Sequence, residues 1–379
     1  MLKTALFLKG VLVMDFRMGE LFSGPGGLAL GAIQASIHHK KEAFSVKHVW
    51  SNDFDEDSCN TYRRNTGPEN HDTVIGKDVR DLNLSQLGKI DCFAYGFPCN
   101  DFSIVGEQKG FNGEFGPLYK YGINVINKFK PRFFIAENVG GMASANEGNA
   151  FKKILSELSQ AGLGYNITAN LYKSEHYGIP QTRHRIIIVG IRKEEGLWFK
   201  VPKETHKNAP VSAREALFNP PIPANAFNNE ITKQSATVVE RLKSIKPGEN
   251  VWTADLPEHL KLNVKNTKMS QIYKRLDPNK PSYTITGSGG GGTHGYHWLE
   301  PRALTNRERA RIQTFPDDFV FTGSKEKVRK QIGMAVPPLL SKIIFENIFR
   351  TFAGISYPSI LPNISQELSL FEDIFELAK

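Results

Sequence analysis

The chain has 379 residues, 40% of them hydrophobic and 11% aromatic, enough apolar content for a packed core spread over two lobes and too much for a disordered chain. Lysine and arginine outnumber aspartate and glutamate by 48 to 39, a formal net charge of +9, which favours a polyanionic partner, nucleic acid first. Three cysteines, Cys59, Cys92 and Cys99, form neither a disulfide framework nor a paired CxxC zinc site, and no apolar run approaches the roughly 20 residues that cross a bilayer.

The opening MLKTALFLKGVLVM has the lysine and apolar run of a secretion signal but no small-residue cleavage site. Because MDFRMGELFSG already leads into a strand, residues 1–15 are expected to be an extension outside the fold. Strand-like runs at residues 17–22, 47–51, 90–94, 132–136 and 185–190 then alternate with helical segments such as 28–36 and 119–129. That alternation predicts a doubly wound α/β domain, a parallel sheet covered on both faces. Near Lys193 the sequence turns irregular and rich in proline, asparagine and lysine, marking a second lobe; over residues 241–280 nine basic residues face four acidic ones. The tract TITGSGGGGTHGYHW, 284–298, has too little apolar content for an element interior and predicts a mobile surface loop. Helical sequence resumes at LTNRERARIQTF. An amphipathic last helix with Leu368, Phe371, Ile374 and Phe375 on one side is expected to pack back on the protein.

Three stretches carry chemistry. In ELFSGPGGLALGA a strand runs into Gly24, Gly26 and Gly27 and then a helix, a turn that lets a ligand approach a helix N-terminus, although a plain tight turn fits nearly as well. SNDFDED places Asp53 and Phe54 at the end of the second strand, where a carboxylate can bind ribose hydroxyls and a ring can cover an adenine; a helix cap by Asp53 or Asp55 is the plainer alternative. Asp78 suits an adenine amino group or a solvated turn equally. In AYGFPCNDFS, Cys99 follows a strand at the sheet edge where ligands bind, ahead of a glycine-spaced run suited to a lid, whereas Cys92 lies inside the strand as an inert thiol. FFIAENVGGM brings Glu137 to the same edge, and in QTRHRIIIVG Arg183 and Arg185 alternate onto one face as clamps for an anion or carbonyl. His294 and His297 lack a third ligand, so no metal is expected there, only DNA contact or solvent exposure.

These motifs, in this order, resemble the bacterial DNA cytosine-5 methyltransferases that use S-adenosylmethionine. FSGPGG resembles the cofactor loop, GFPCNDFS the catalytic Pro-Cys loop, ENV the glutamate motif, QTRHR the arginine motif, RALTNRERARIQTFPDDF the motif organising the recognition lobe and QIGMAVPP the final cofactor-side motif. The resemblance implies a Rossmann-like methyltransferase sheet with a smaller, irregular target-recognition domain. It divides the chain into a catalytic domain at 16–192, a recognition domain at 193–300, a hinge at 301–329, a return helix at 330–350 and a tail at 351–379.

Cys99 is then the nucleophile that adds to cytosine, with Glu137 at N3, Arg185 at O2 and Arg183 supporting the site. Implied cofactor contacts are Phe22, Ser23, Gly24, Pro25, Gly26, Gly27, Asp53, Phe54, Asp78, Val79, Pro98, Leu118 and Val336. Ser103, Thr284, Gly287, Ser288 and His294 are implied DNA contacts. Duplex DNA is the expected partner, with a separately acting companion endonuclease, and a cytoplasmic, monomeric enzyme is expected. Two positions depart from the family pattern: Asn100 replaces a glutamine after the cysteine, and Met334 replaces an asparagine near the cofactor. A tRNA-modifying relative lacks the large recognition region. A nicotinamide-dependent oxidoreductase leaves Cys99, Glu137 and the arginines without a joint role, and a catalytically dead relative does not account for every chemical group being present.

Overall fold

A computed structural model describes residues 5–8, 11–67, 70–97, 118–142, 149–263, 269–287, 289 and 292–364. Its first half runs β1 (Ala5–Leu8), β2 (Val11–Leu21), α1 (Gly27–Gln34), β3 (Ile37–His39), β4 (Glu42–Asp53), α2 (Glu56–Thr66), β5 (Val74–Gly76), β6 (Cys92–Gly96), α3 (Tyr119–Phe129), β7 (Phe133–Val139), α4 (Asn149–Gln160), β8 (Tyr165–Lys173), β9 (Gln181–Thr182) and β10 (His184–Arg192). The main sheet has the order β3-β4-β2-β6-β7-β10-β8, with β5 on β4 and β1 on β2. Strand alternation decides how it is covered. Cys92 and Ala94 of β6 join an apolar layer that contains Phe345 and Phe349, while Phe93 and Tyr95 join the opposite layer with Val125, Ile126, Ile154 and Leu158 from α3 and α4.

Two expectations need correction. The sheet is mixed: β4, β2, β6 and β7 are parallel, but β10 is antiparallel to both β7 and β8. The cause is connection length, since the short link from Lys173 to His184 reverses the chain, whereas a parallel return needs a crossover of a dozen or more residues. The first strand also starts earlier than expected. Val11–Met14 belong to β2 and pair antiparallel with Ala5–Leu8, along the half of β2 that β6 leaves free by pairing only with Met18–Leu21. The boundary drawn at residue 15 therefore falls inside a strand.

The second half contributes β11 (Val201–Pro202), α5 (Ala213–Phe218), α6 (Ala236–Ser244), β12 (Ser282–Tyr283), α7 (Asn306–Ile312), α8 (Lys325–Met334), α9 (Pro338–Phe352) and β13 (Ser359–Ile360). Leu242, Ile245, Val251, Ile272 and Tyr296 make a separate small core. Arg275 lies buried beside it and donates to the carbonyls of Leu242, Ile245, His297 and Trp298. Arg241, also buried, donates to the Leu260 carbonyl, so part of this region's basic excess is internal. The described part of the glycine tract is no surface loop either, because Ile285, Tyr296, His297 and Trp298 are buried and Tyr296 stacks on Tyr273. The expected final helix around Leu368 lies outside the described residues.

α9 returns the chain to the sheet. The helical stretch 325–352 is long enough to cross a membrane, but 72% of its most apolar 18-residue window is buried inside the protein. α1 meets α9 at Gly31, where an added Cβ would stand 2.3 Å from the Pro338 carbonyl oxygen and 2.5 Å from Ser341 Cβ. Gly31→Val is therefore expected to destabilise the protein by about 1–3 kcal/mol through overpacking, seen as a lower midpoint in urea unfolding; an unchanged midpoint would contradict this packing.

Candidate active site

The carboxyl ends of the parallel strands open onto one cleft of about 760 Å³, within the usual range for a small-ligand site. After β2 the chain makes a tight loop in which Gly24 (φ 52°) and Gly26 (φ 93°) take the left-handed conformation, and Gly26 caps α1. Asp53, at the end of β4, holds that loop: one carboxylate oxygen accepts from the Gly24 amide at 2.8 Å and the other from the Asp55 amide at 2.9 Å. Asp55 is the residue that caps α2, accepting from the Ser58 amide. The helix cap thus falls to Asp55, and Asp53 faces the cleft.

Phe54 lines the cleft with 69% of its surface exposed, an uncovered aromatic face. Asp78 caps the short helix after β5 and binds the Arg80 guanidinium, which holds its carboxyl down at about 2. Phe22, Ser23, Pro25, Gly27, Val79, Leu118 and Val336 also line the cleft, whereas Gly26 is not among the lining residues. Burial raises the Asp53 carboxyl above its ordinary value against the pull of its amide donors.

At the inner end, Glu137 near the close of β7 and Arg185 near the start of β10 meet at 2.9 Å, both largely buried and both lining the cleft. They meet because β10 is antiparallel: Ile187 faces Glu137 and Arg185 faces Val139 in the ladder. In an all-parallel sheet the start of a strand lies at the far edge from a neighbour's end. Burial raises the Glu137 carboxyl above its ordinary value, opposed by Arg185 and then Arg183. Asn138, buried beside it, donates to the Phe97 carbonyl at 3.0 Å and so anchors the segment that leads to Cys99. Pro98, Cys99 and Ser103 lie outside the described residues.

Residues 16–350 match the C-5 cytosine-specific DNA methylase family. The chain belongs to that family. It is a DNA cytosine-5 methyltransferase, and the family uses S-adenosylmethionine. It is 58% identical over 354 residues to the type II methyltransferase M.BbvI of Brevibacillus brevis, covering 92% of this chain and 94% of that one. It is 42% identical to the type II methyltransferase M.NgoFVII of Neisseria gonorrhoeae, covering 84% and 82%. Among solved structures it shares its fold with a prophage-encoded Escherichia coli protein assigned as a DNA modification methyltransferase, at a TM-score of 0.67 and 23% identity over 89% of this chain and 99% of that one.

The cleft of this methyltransferase fits the family cofactor by its own chemistry. An exposed ring, two carboxylates at strand ends, apolar Val79 and Val336, and Ser23 Oγ, buried without a hydrogen-bond partner among the described residues, suit a nucleoside carrying a charged tail. Sequence reasoning missed Glu20, Lys327 and Lys330, which also line it. Glu20 was visible as a carboxylate at the end of the strand before the glycine loop; the lysines lie on α8, far away in sequence.

The expected DNA contacts are less uniform. Thr284 Oγ1 donates to the Thr182 carbonyl at 2.6 Å, which ties this segment to β9. Gly287 packs against the Lys330 backbone, and the His294 carbonyl accepts from Arg309 while burial pushes the His294 ring down to about 4. Ser288 lies outside the described residues. His297 is 1% exposed and its Nδ1 accepts from the Leu299 and Glu300 amides, so neither DNA contact nor solvent exposure describes it.

Arg183 is fully buried, and its guanidinium donates to the carbonyls of Ile285, Gly333 and Ala335. It links the sheet, the segment that carries Ile285 and the end of α8, supporting the site through structure. Arg183→Leu strands three buried acceptors and is expected to cost on the order of 3 kcal/mol or more; Arg183→Lys should recover only part, since an ammonium cannot span the same fork. Urea unfolding measures both, and wild-type midpoints would refute the clamp.

Proposed function

We propose that this methyltransferase modifies one cytosine turned out of a specific duplex DNA sequence, through a transient bond from Cys99 to carbon 6, as the modification half of a restriction-modification pair. The observation that carries the chemistry is the Glu137–Arg185 pair at the inner end of the cleft, beside the segment that leads to Cys99. S-adenosylmethionine, when bound, supplies the methyl group for carbon 5. Asp53 would hold its ribose, Phe54 its adenine face and Asp78 with Val79 the adenine edge, while Phe22 and the loop from Ser23 to Gly27, with Pro98, Leu118 and Val336, would enclose the rest.

Carbon 5 of cytosine is a weak nucleophile. Addition of the Cys99 thiolate to carbon 6 breaks the 5,6 double bond and moves its electron pair toward N3. Glu137, whose burial favours the protonated form, meets that charge with a hydrogen bond or proton, and Arg185 holds O2. Loss of the carbon 5 proton later restores the double bond and expels Cys99 as thiolate. A base inside a stacked duplex is out of reach, so the cytosine must be extruded at a cost of a few kcal/mol. A recognition domain over about residues 193–300, with Thr284 near a phosphate and Gly287, Ser288 and His294 as further DNA contacts, would offset that cost together with Ser103.

The type II methyltransferases related to this chain support a companion endonuclease acting separately, and a monomer working on DNA in the bacterial cytoplasm fits the reading. Tritiated methyl transfer to duplex DNA, tRNA and a no-substrate control tests it. Label is expected on DNA alone. Cys99→Ser should abolish transfer while DNA binding survives, and Glu137→Gln should lower the rate by roughly 10² to 10⁴. Label on tRNA alone, or more than about a hundredth of wild-type turnover in Cys99→Ser, would exclude the proposal.

A further inference from the structure

Under the cleft floor runs a line of polar side chains that the chemistry above does not use. Glu20 on β2 lines the cleft and is 2% exposed. Its Oε2 lies 3.1 Å from Tyr62 Oη on α2; Tyr62 Oη lies 3.2 Å from His48 Nδ1 on β4; and His48 Nε2 lies 3.0 Å from Thr73 Oγ1. The Thr73 hydroxyl donates to the Asn70 carbonyl at 2.6 Å. His48 and Thr73 are only partly buried, so the line ends near solvent.

With the Thr73 hydrogen on the Asn70 carbonyl, the line has one polarity. Thr73 spends its one hydrogen on Asn70, so its oxygen accepts from His48 Nε2–H. The Nδ1 of a neutral His48 then accepts the Tyr62 hydrogen. Tyr62 oxygen then accepts from Glu20 as a carboxylic acid; with Glu20 ionised the Tyr62 hydroxyl donates to Oε2 instead, His48 Nδ1–H donates to Tyr62 and the Thr73 hydroxyl turns to Nε2. Burial acts in the same direction: it pushes Glu20 up to about 8, with the Tyr62 bond opposing and Asp53 adding, and it pushes His48 down to about 4.

We propose that Glu20 is a neutral acid in the free enzyme and releases its proton through Tyr62 and His48 when the sulfonium cofactor binds, so that cofactor affinity is coupled to pH and the cofactor is distinguished from its demethylated product. This rests on the S-adenosylmethionine reading of the cleft. The Glu20 proton passes to Tyr62 oxygen, the Tyr62 proton to His48 Nδ1, and the His48 Nε2 proton leaves to solvent. One proton is lost, and the donors now point inward at a carboxylate. Thr73 is then free to turn toward Nε2.

S-adenosylhomocysteine lacks the fixed sulfonium charge and so draws less ionisation. The other charges facing this corner do not supply the match. Asp53 opposes ionisation of Glu20. Glu137 and Arg185 bind each other, Lys327 binds Asp55, and Asp78 binds Arg80, which leaves Lys330 as the remaining charged group named along the cleft. Because ionisation accompanies binding, affinity rises with pH up to about 8 and flattens beyond.

Calorimetric titration of the full-length enzyme with S-adenosylmethionine or S-adenosylhomocysteine, in two buffers of different ionisation enthalpy near pH 7, counts the protons. Roughly 0.5 to 1 proton should leave with the first ligand and less than half as many with the second, an opposite charge within the site lowering a carboxyl by about 1–3 units. Relative to Glu20→Gln, wild-type affinity should rise roughly tenfold between about pH 6.5 and 8.5; the slope left in the variant belongs to the cofactor's own amino group. Nitrogen-15 shifts of His48 should move from the Nε2–H to the Nδ1–H tautomer on binding, and Tyr62→Phe should abolish that change. Equal proton release by wild type and Glu20→Gln, or by the two ligands on wild type should Glu20→Gln fail to fold, overturns the proposal, as does an unresponsive His48. Failure of S-adenosylmethionine to bind at all overturns the cofactor reading beneath it.

Discussion

A carboxylate and a guanidinium held at 2.9 Å across an antiparallel strand pair, Glu137 with Arg185, organise the working end of this molecule. A buried ion pair of this type adds little net stability, because desolvation offsets most of the attraction. Its value is chemical. Burial alone would make Glu137 a permanently neutral acid, and Arg185 alone would keep it ionised. Together they hold the carboxyl raised yet able to exchange a proton, beside a donor fork that fits a carbonyl oxygen. Gly96 makes room for the pair, since a Cβ there would come within 3.1 Å of Glu137 Oε2.

The pair needs two distant parts of the chain in register with it. Strand β10 reaches Glu137 only because it doubles back between β7 and β8. The cleft wall opposite comes from α8 and the turn before α9, residues more than 300 positions along the chain from the glycine loop they face. Arg183 bridges these parts through three carbonyls, and Ser341 Oγ donates to the Leu28 carbonyl at 2.6 Å where α9 meets α1. The segment that carries Ile285 is thus fastened to the same part of the chain that shapes the cleft.

The sequence made strand and loop chemistry legible where it is local. The glycine loop, Asp53 with Phe54, and Glu137 at a strand end depend on residues a few positions apart, and the cleft lining carries them. Helix α3 was legible from its apolar spacing for the same reason. Strand direction was not, because β10 has the same apolar run whether parallel or antiparallel, and only the short link after β8 decides it. Burial of polar residues was also hidden. Arg241, Arg275 and His297 look like surface charges in the sequence, yet each satisfies backbone groups inside the second lobe. Glu20 went unnoticed because its meaning comes from Tyr62 and His48, which reach it only after α2 and β4 have packed.

The proposed reaction turns on a covalent bond between one sulfur and an extruded base, steadied by this acid and guanidinium. Duplex oligonucleotides carrying 5-fluorocytosine at the target position test it most directly, because fluorine in place of the carbon 5 hydrogen prevents the final elimination. With S-adenosylmethionine present, peptide mass spectrometry should find a stable, methylated DNA adduct on Cys99. An adduct on another residue, or none at all on a duplex that the enzyme demonstrably methylates in its unfluorinated form, would contradict the account.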